Sequence, residues 1–474
     1  MVLPALSKKA LWTVASSTLS FIFLILAMLL GDSRPAYTLP IHKVTAIPAF
    51  ARKYGLPCSA CHEAWPKLNN FGMRFRDNGY QLMNDRDSPI WQNPSYWPVA
   101  MRITPYWHRE SADHVPVDTI PGNGTSGTSE ITMTSHGFDL SGLDLWTAGT
   151  LYKNISFSLL PSSDENASFH FENAFVRFDN IFGSSWLNFK FGKFELNNLI
   201  SEKRFLFLSA QGGLYQVYHF ATFEENNAAL SGVNPLNPGF GIGDNQLGIE
   251  LMGHNDNSYT RYSVALLSSN DGNVDIPNRT YDTYLTFDQA FSAGRLGVQR
   301  VGAFAYIGLR PTYGYTSGGT LIPGEGLGNK GFYRAGFTGD WYAGKFDFQT
   351  VFMHGWDNAY LGTVTPANQP LPAGGQAPTW NGGFVETHYT VNPKWILLNR
   401  YEIVRVSRQA FASDARNLGD LDTYSFGSRY YPIMYSRAGL ALHAEYAITK
   451  SQATGPLGED VWASSLFIGF DFDF

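Results

Sequence analysis

The sequence predicts a mainly β protein: a transmembrane β-barrel of about 16 antiparallel strands, preceded by a short α-helical segment. Three observations carry this fold class. From residue 98 onward, apolar and polar residues alternate with period two between turn-forming clusters. The alternation reaches the last residue, where Leu466, Ile468, Phe470, Phe472 and Phe474 share one face of a closing strand. Short connections alternate with long ones, as turns at one mouth of a barrel and loops at the other would. After the N-terminus no apolar run is long enough for a membrane helix, so any span must be β.

The elements follow in chain order. Lys8 and Lys9 precede an apolar run from Ala10 to Leu30, and "GDSRPAYTLP" follows; this layout assigns residues 1–36 to a secretory signal peptide ending near Gly31 or Ala36. Residues 37–97 form the second unit, helical over about 46–82, where Leu68, Phe71 and Phe75 recur at three- and four-residue spacing and Gly79 can stop the helix. Residues 98–474 form the barrel. Strands are expected at 98–108, 137–151, 155–160, 167–179, 186–195, 246–254, 258–268, 281–290, 295–309, 330–341, 345–355, 383–391, 394–406, 422–430, 436–448 and 461–474. Turns such as 152–154, 342–344 and 391–394 are short, whereas 109–136, 310–329, 356–382 and 407–421 are long. "GLYQVYHF" at 213–220 reads as a strand in isolation but would make the count odd, so 196–245 is taken as one long outside loop.

The faces follow from the pleat. Tyr333, Ala335, Phe337, Gly339 and Trp341 point one way, and Arg334, Gly336, Thr338 and Asp340 the other, which in a membrane barrel means lipid and lumen. Trp341, Trp395 and Tyr446 near strand ends suit the interfacial aromatic girdles. Lys190, Arg334, Asp340, Asp347, Arg400 and Glu402 are expected in the lumen, where solvation of the channel is their ordinary role. An even strand count places both termini on one side, the periplasmic side of an outer membrane.

Chemistry is concentrated in "GLPCSACHEAW". Cys58, Cys61 and His62 form C-x-x-C-H, the spacing at which two thiols add to one haem and the next side chain reaches its iron. The chain has 2 cysteines, so a zinc site lacks its second ligand pair, and no strand-helix-strand context suggests a thioredoxin-like motif. A structural disulfide would not need the histidine. One covalently held haem c is therefore expected, with His62 as proximal ligand. The distal ligand is open: Met73 ranks first, with Met83, His42 and His108 as alternatives, and a methionine would raise the reduction potential. A net charge of -6 on 16% charged residues argues against a nucleic-acid partner. The glycine alternation "GFGIG" at 239–243 lacks a dinucleotide-site context, and the remaining histidines are scattered among expected lumen and loop positions.

The N-terminal segment "IPAFARKYGLPCSACHEAWPKLNNFGMRFRDNGYQL" resembles the fused cytochrome-porin family of outer-membrane c-type cytochromes, the iron oxidases of iron-oxidising bacteria. The resemblance rests on Pro48, Phe50, Ala51, Arg52, Cys58, Cys61, His62, Pro66, Leu68, Asn69, Phe71, Gly72, Phe75, Gly79 and Tyr80. It implies that the haem segment plugs the barrel or its mouth. It further implies a ferrous-iron:cytochrome c oxidoreductase, with ferrous iron the donor at or near the outer surface and a periplasmic c-type cytochrome the acceptor. The alternative is a substrate-diffusion porin whose haem segment regulates or plugs the channel.

Overall fold

The computed structural model describes residues 49–54, 56–64, 67–82, 99–118, 126–163, 168–197, 245–268, 281–311, 313–315, 321–323, 329–356, 379–408, 420–434, 439–452 and 459–473. The expected signal peptide, His42, Met83 and Phe474 lie outside them.

A closed barrel of 16 antiparallel strands forms, each strand paired with its sequence neighbours. The strands are β1 (Ala100–Asp118), β2 (Ser126–Tyr152), β3 (Ile155–Ser163), β4 (Phe169–Phe178), β5 (Asn188–Glu195), β6 (Asn245–His254), β7 (Thr260–Ser268) and β8 (Tyr281–Ser292). They continue as β9 (Val298–Pro311), β10 (Asn329–Ala343), β11 (Phe346–Trp356), β12 (Thr379–Asn392), β13 (Trp395–Arg408), β14 (Leu421–Met434), β15 (Gly439–Ser451) and β16 (Val461–Asp473). Closure brings Phe472 opposite Ile103 and Asp473 opposite Arg102. Closing the sheet leaves no unpaired strand edge, the condition for spanning lipid.

The long connection expected at 109–136 is mostly strand. β1 runs to Asp118 and β2 begins at Ser126, because "SEITMTSH" keeps the period of two in weakly apolar, Ser/Thr-rich sequence. The connection expected at 310–329 contains a small ladder of its own, Tyr313–Tyr315 against Leu321–Pro323. β5 pairs directly with β6, Glu195 opposite Asn245. The segment 213–220 lies outside the described residues.

The two faces separate by chemistry. On β10 Phe337 is 66% exposed while Arg334 and Asp340, on the other face, are buried. Phe352, Ile468, Phe470, Trp395 and Tyr446 add to the apolar exterior, and Lys190, Asp347, Arg400 and Glu402 are buried in the lumen as expected. An apolar outside around a charged inside is the surface of a lipid-embedded barrel, and even-stranded single-chain barrels belong to bacterial outer membranes. Among the described residues no helix is long and apolar enough to cross a membrane.

The lumen has two layers. Toward the long connections Tyr284, Tyr306, Phe332, Met353, Trp380 and Val404 form part of one buried apolar cluster. Toward the short turns lie Arg177, Arg261, Arg300, Asp340, Asp347 and His388, all buried. Against this charged layer sits the N-terminal segment: α1 (Ala49–Tyr54), α2 (Cys58–Cys61), a short ladder of His62–Ala64 with Lys67–Leu68, and α3 (Asn70–Asp77). The segment occupies the short-turn mouth. Its buried Lys67 pairs with lumen residues Asp340 at 3.0 Å and Asp347.

Candidate functional site

One turn of helix at α2 sets Cys58 and Cys61 three apart on one side, and the backbone becomes extended at His62. Asn69 joins this turn to α3. Its backbone N–H donates to the Cys61 carbonyl at 2.9 Å and its side-chain amide to the Ala60 carbonyl at 3.0 Å, while its Oδ1 accepts from the Gly72 N–H at 2.9 Å as the N-cap of α3. Gly72 is required by proximity, because a Cβ there would stand 2.2 Å from the Cys61 carbonyl oxygen. Gly72→Ala is expected to weaken the packing of α3 on α2 by about 1–3 kcal/mol. Limited proteolysis of the detergent-solubilised protein should then cut within 56–82 several-fold faster; unchanged cleavage would contradict the packing argument.

The α2 turn faces an apolar cleft of about 170 Å³ that is open on one side. Cys58, Cys61 and His62 all line it. Its aromatic wall is Phe50, Tyr54, Phe75 and Tyr80: Phe50 stacks on Tyr80 at 5.2 Å between ring centroids and meets Phe75 edge-on at 5.1 Å. Gly79 at φ +80° ends α3, and Tyr80 at φ +59° holds the left-handed conformation that turns its ring onto Phe50. The barrel contributes Trp146 of β2, over which the Arg102 guanidinium lies at 4.8 Å.

Helix α3 divides its faces between cleft and wall. Gly72, Phe75 and Arg76 line the cleft. Asn70, Met73 and Asp77, spaced i, i+3 and i+7, share the opposite face. There Asp77 meets Arg261 of β7 through Nε at 2.8 Å and Nη2 at 3.3 Å, and Asn70 accepts from Arg300 of β9 at 3.0 Å. Arg177 of β4 donates to the Arg76 carbonyl at 2.8 Å, and His254 of β6 donates to the Asp77 carbonyl at 3.1 Å. Burial alone would raise the Asp77 carboxyl, but Arg261 and Arg76 outweigh it and hold it well below the usual carboxylate range.

The expected site residues therefore part company. Cys58, Cys61 and His62 come together on one cleft. Met73, the first-ranked distal ligand, is buried on the wall-facing side of α3 and does not line the cleft. The stripe read from Leu68, Phe71 and Phe75 is also corrected: Leu68 lies in the short ladder and Phe71 is 42% exposed, so the buried spacing begins at Gly72. His108 is on β1, its ring stacked at 5.9 Å on Phe467. Nothing in the spacing of the sequence pointed to Trp146, Arg261 or the pairing of Lys67, because each is defined by partners on elements distant in the chain.

No disulfide joins the two cysteines. Burial, with Cys58 beside it, pushes the Cys61 thiol up to about 11, opposite to the lowered value that thiol–disulfide chemistry uses. Two thiols and an imidazole on one aromatic-walled cleft suit a planar macrocycle anchored at its edge and ligated through its metal. Cys58 and Cys61 would tether such a group, His62 would ligate it, and Phe50, Phe75 and Tyr80 would exclude water from it.

No protein-family model and no curated protein sequence matches the chain. Solved structures similar to it are bacterial outer-membrane barrels. The outer membrane channel DcaP of Acinetobacter baumannii is 10% identical, with 79% of this chain and 97% of that chain covered at a TM-score of 0.46. OmpF of Salmonella typhi is 9% identical over 83% and 99% of the two chains, at 0.48. An anion-selective porin from Comamonas acidovorans is 12% identical over 79% and 99%, at 0.43.

Proposed function

We propose that the chain is an outer-membrane monohaem c-type cytochrome fused to a porin-like barrel, which takes up electrons from outside the cell. Ferrous iron is the donor and a periplasmic c-type cytochrome the acceptor. The observation that carries this reading is the convergence of Cys58, Cys61 and His62 on one apolar cleft at the mouth of the barrel. Haem bound there supplies a one-electron carrier whose potential is set by its axial ligands and surroundings. Cys58 and Cys61 fix its edge, His62 ligates it, and the aromatic wall keeps water away. The short-turn mouth faces the periplasm, which puts the cleft within reach of a soluble acceptor.

The buried apolar layer and the seated N-terminal segment support this reading over a diffusion porin, whose channel is polar and wet. Here one layer is a buried apolar cluster and the other is closed by ion pairs to the N-terminal segment. Stopped-flow spectroscopy tests the donor: anaerobic mixing of ferrous iron with the oxidised, detergent-purified protein is expected to reduce the haem absorption bands. Bands that stay oxidised with iron yet respond to dithionite would overturn iron as donor and leave a barrel cytochrome.

A further inference from the structure

The histidines facing the lumen differ in how they are paired, and His108 on β1 has no hydrogen-bond partner at Nδ1 among the described residues. His254 and His388 each engage both ring nitrogens: His254 with the Asn255 and Asp77 carbonyls, His388 with Asp347 and Glu386. His443 on β15 is 3% exposed and has no hydrogen-bond partner on either ring nitrogen among the described residues. A buried polar group left unpaired is destabilising, so such a group calls for a reason. Its charged neighbours do not supply one. Arg429 of β14 is paired with Asp471 of β16, and Asp471 also accepts from Thr104 at 2.9 Å.

The position of His443 is specific to one side of the lumen. The N-terminal segment is held by β4, β6, β7, β9, β10 and β11, through Arg177, His254, Arg261, Arg300, Asp340 and Asp347. The cleft is on the other face of α3 and meets the wall at Trp146 of β2, while Tyr431 of β14 is within electrostatic range of Cys58. In the closed order, β14, β15, β16, β1 and β2 are consecutive neighbours. His443 therefore lies on the arc of wall that the cleft faces. It stands in register with Arg429, one pleat from Tyr431.

We propose that His443 would be the second protein ligand of the haem iron, so that the barrel wall and the N-terminal segment would each supply one ligand. The proposal rests on the reading that Cys58, Cys61 and His62 hold haem. It accounts for the imidazole that finds no partner among the described residues, on the arc of wall that the cleft faces though outside the cleft's own lining. A neutral imidazole with a free lone pair is a strong iron ligand. The sixth ligand would then also report docking, because it comes from a different part of the fold than the thioethers.

The test uses the full chain, exported and loaded with haem, in detergent. Wild type is expected to be low-spin and six-coordinate by electron paramagnetic resonance, and slow to bind carbon monoxide when reduced. His443→Ala and His443→Gln should retain covalent haem staining and heat-modifiable migration, become high-spin, and bind carbon monoxide at least tenfold faster. Added imidazole should restore the low-spin signal of His443→Ala, and His108→Ala should behave as wild type. A low-spin spectrum unchanged in both His443 variants overturns the proposal, as does a high-spin wild type or a high-spin His108→Ala. Wild type without covalent haem would fail the underlying reading itself, before any His443 variant is compared.

Discussion

Cys58→Ala, produced in cells that attach haem to exported proteins, is expected to lose covalent haem staining altogether while the barrel assembles normally. The side chain lines the cleft and belongs to the one-turn helix α2, whose neighbours are the segment's own α3 and the short ladder. Its removal leaves the barrel pairings untouched, since every one of the 16 strands finds its partners within the sheet. Heat-modifiable migration and recovery in outer-membrane fractions should therefore match wild type. Loss of the barrel along with the haem would mean that the segment is needed for assembly, and haem staining that persists in Cys58→Ala would refute attachment at this cysteine.

The barrel was legible because its two determinants are local. Period-two alternation assigns the faces and the terminal aromatic strand marks the closing edge, so even the pairing of β5 with β6 across 49 intervening residues follows from strand parity. What misled was local too. "SEITMTSH" reads as a loop by composition, although its alternation continues the strand, and pairing with β1 decides the matter: Ala112 faces Met133 and Val115 faces Ile131. The C-x-x-C-H turn was legible for the same reason, since a single helical turn needs no distant partner. The faces of α3 were not. Leu68, Phe71 and Phe75 make a plausible stripe, but the helix starts at Asn70, and Asn70 and Asp77 look inward only because Arg300 and Arg261 await them on strands far along the chain. A charged residue on a short helix carries no sign in sequence of whether it meets water or a buried guanidinium.

That distinction gives the second large effect, on the seating of the N-terminal segment. Asp77 and Arg261 are each about 1% exposed and meet through two contacts. Removing one partner of such a pair costs about 3–5 kcal/mol, a shift of more than a hundredfold in the seated fraction. Asp77→Ala is thus expected to expose the segment to protease and to produce current fluctuations in planar bilayers that wild type lacks. Arg261→Met in the same chain should not recover the seating, because Arg261 also pairs with Asp288 at 3.1 Å and its removal leaves that buried carboxylate without this partner. The pH dependence follows from opposite shifts at the two anchors. Asp77 is held below its ordinary value, so its contribution is complete above about pH 4 and is lost only as pH falls through the lower seated value. For Lys67 burial alone would lower the amine, but Asp340, Asp347 and Glu63 outweigh it and raise it well above its ordinary value. Its contribution is complete below about pH 10 and is lost as pH rises through the higher seated value. Wild type should accordingly stay closed from about pH 7, the raised value at which the Glu63 carboxyl beside Lys67 ionises, to about pH 10, while Asp77→Ala leaks throughout that window. Conductance of the variant indistinguishable from wild type would mean that the remaining anchors, Lys67 foremost, hold the segment unaided.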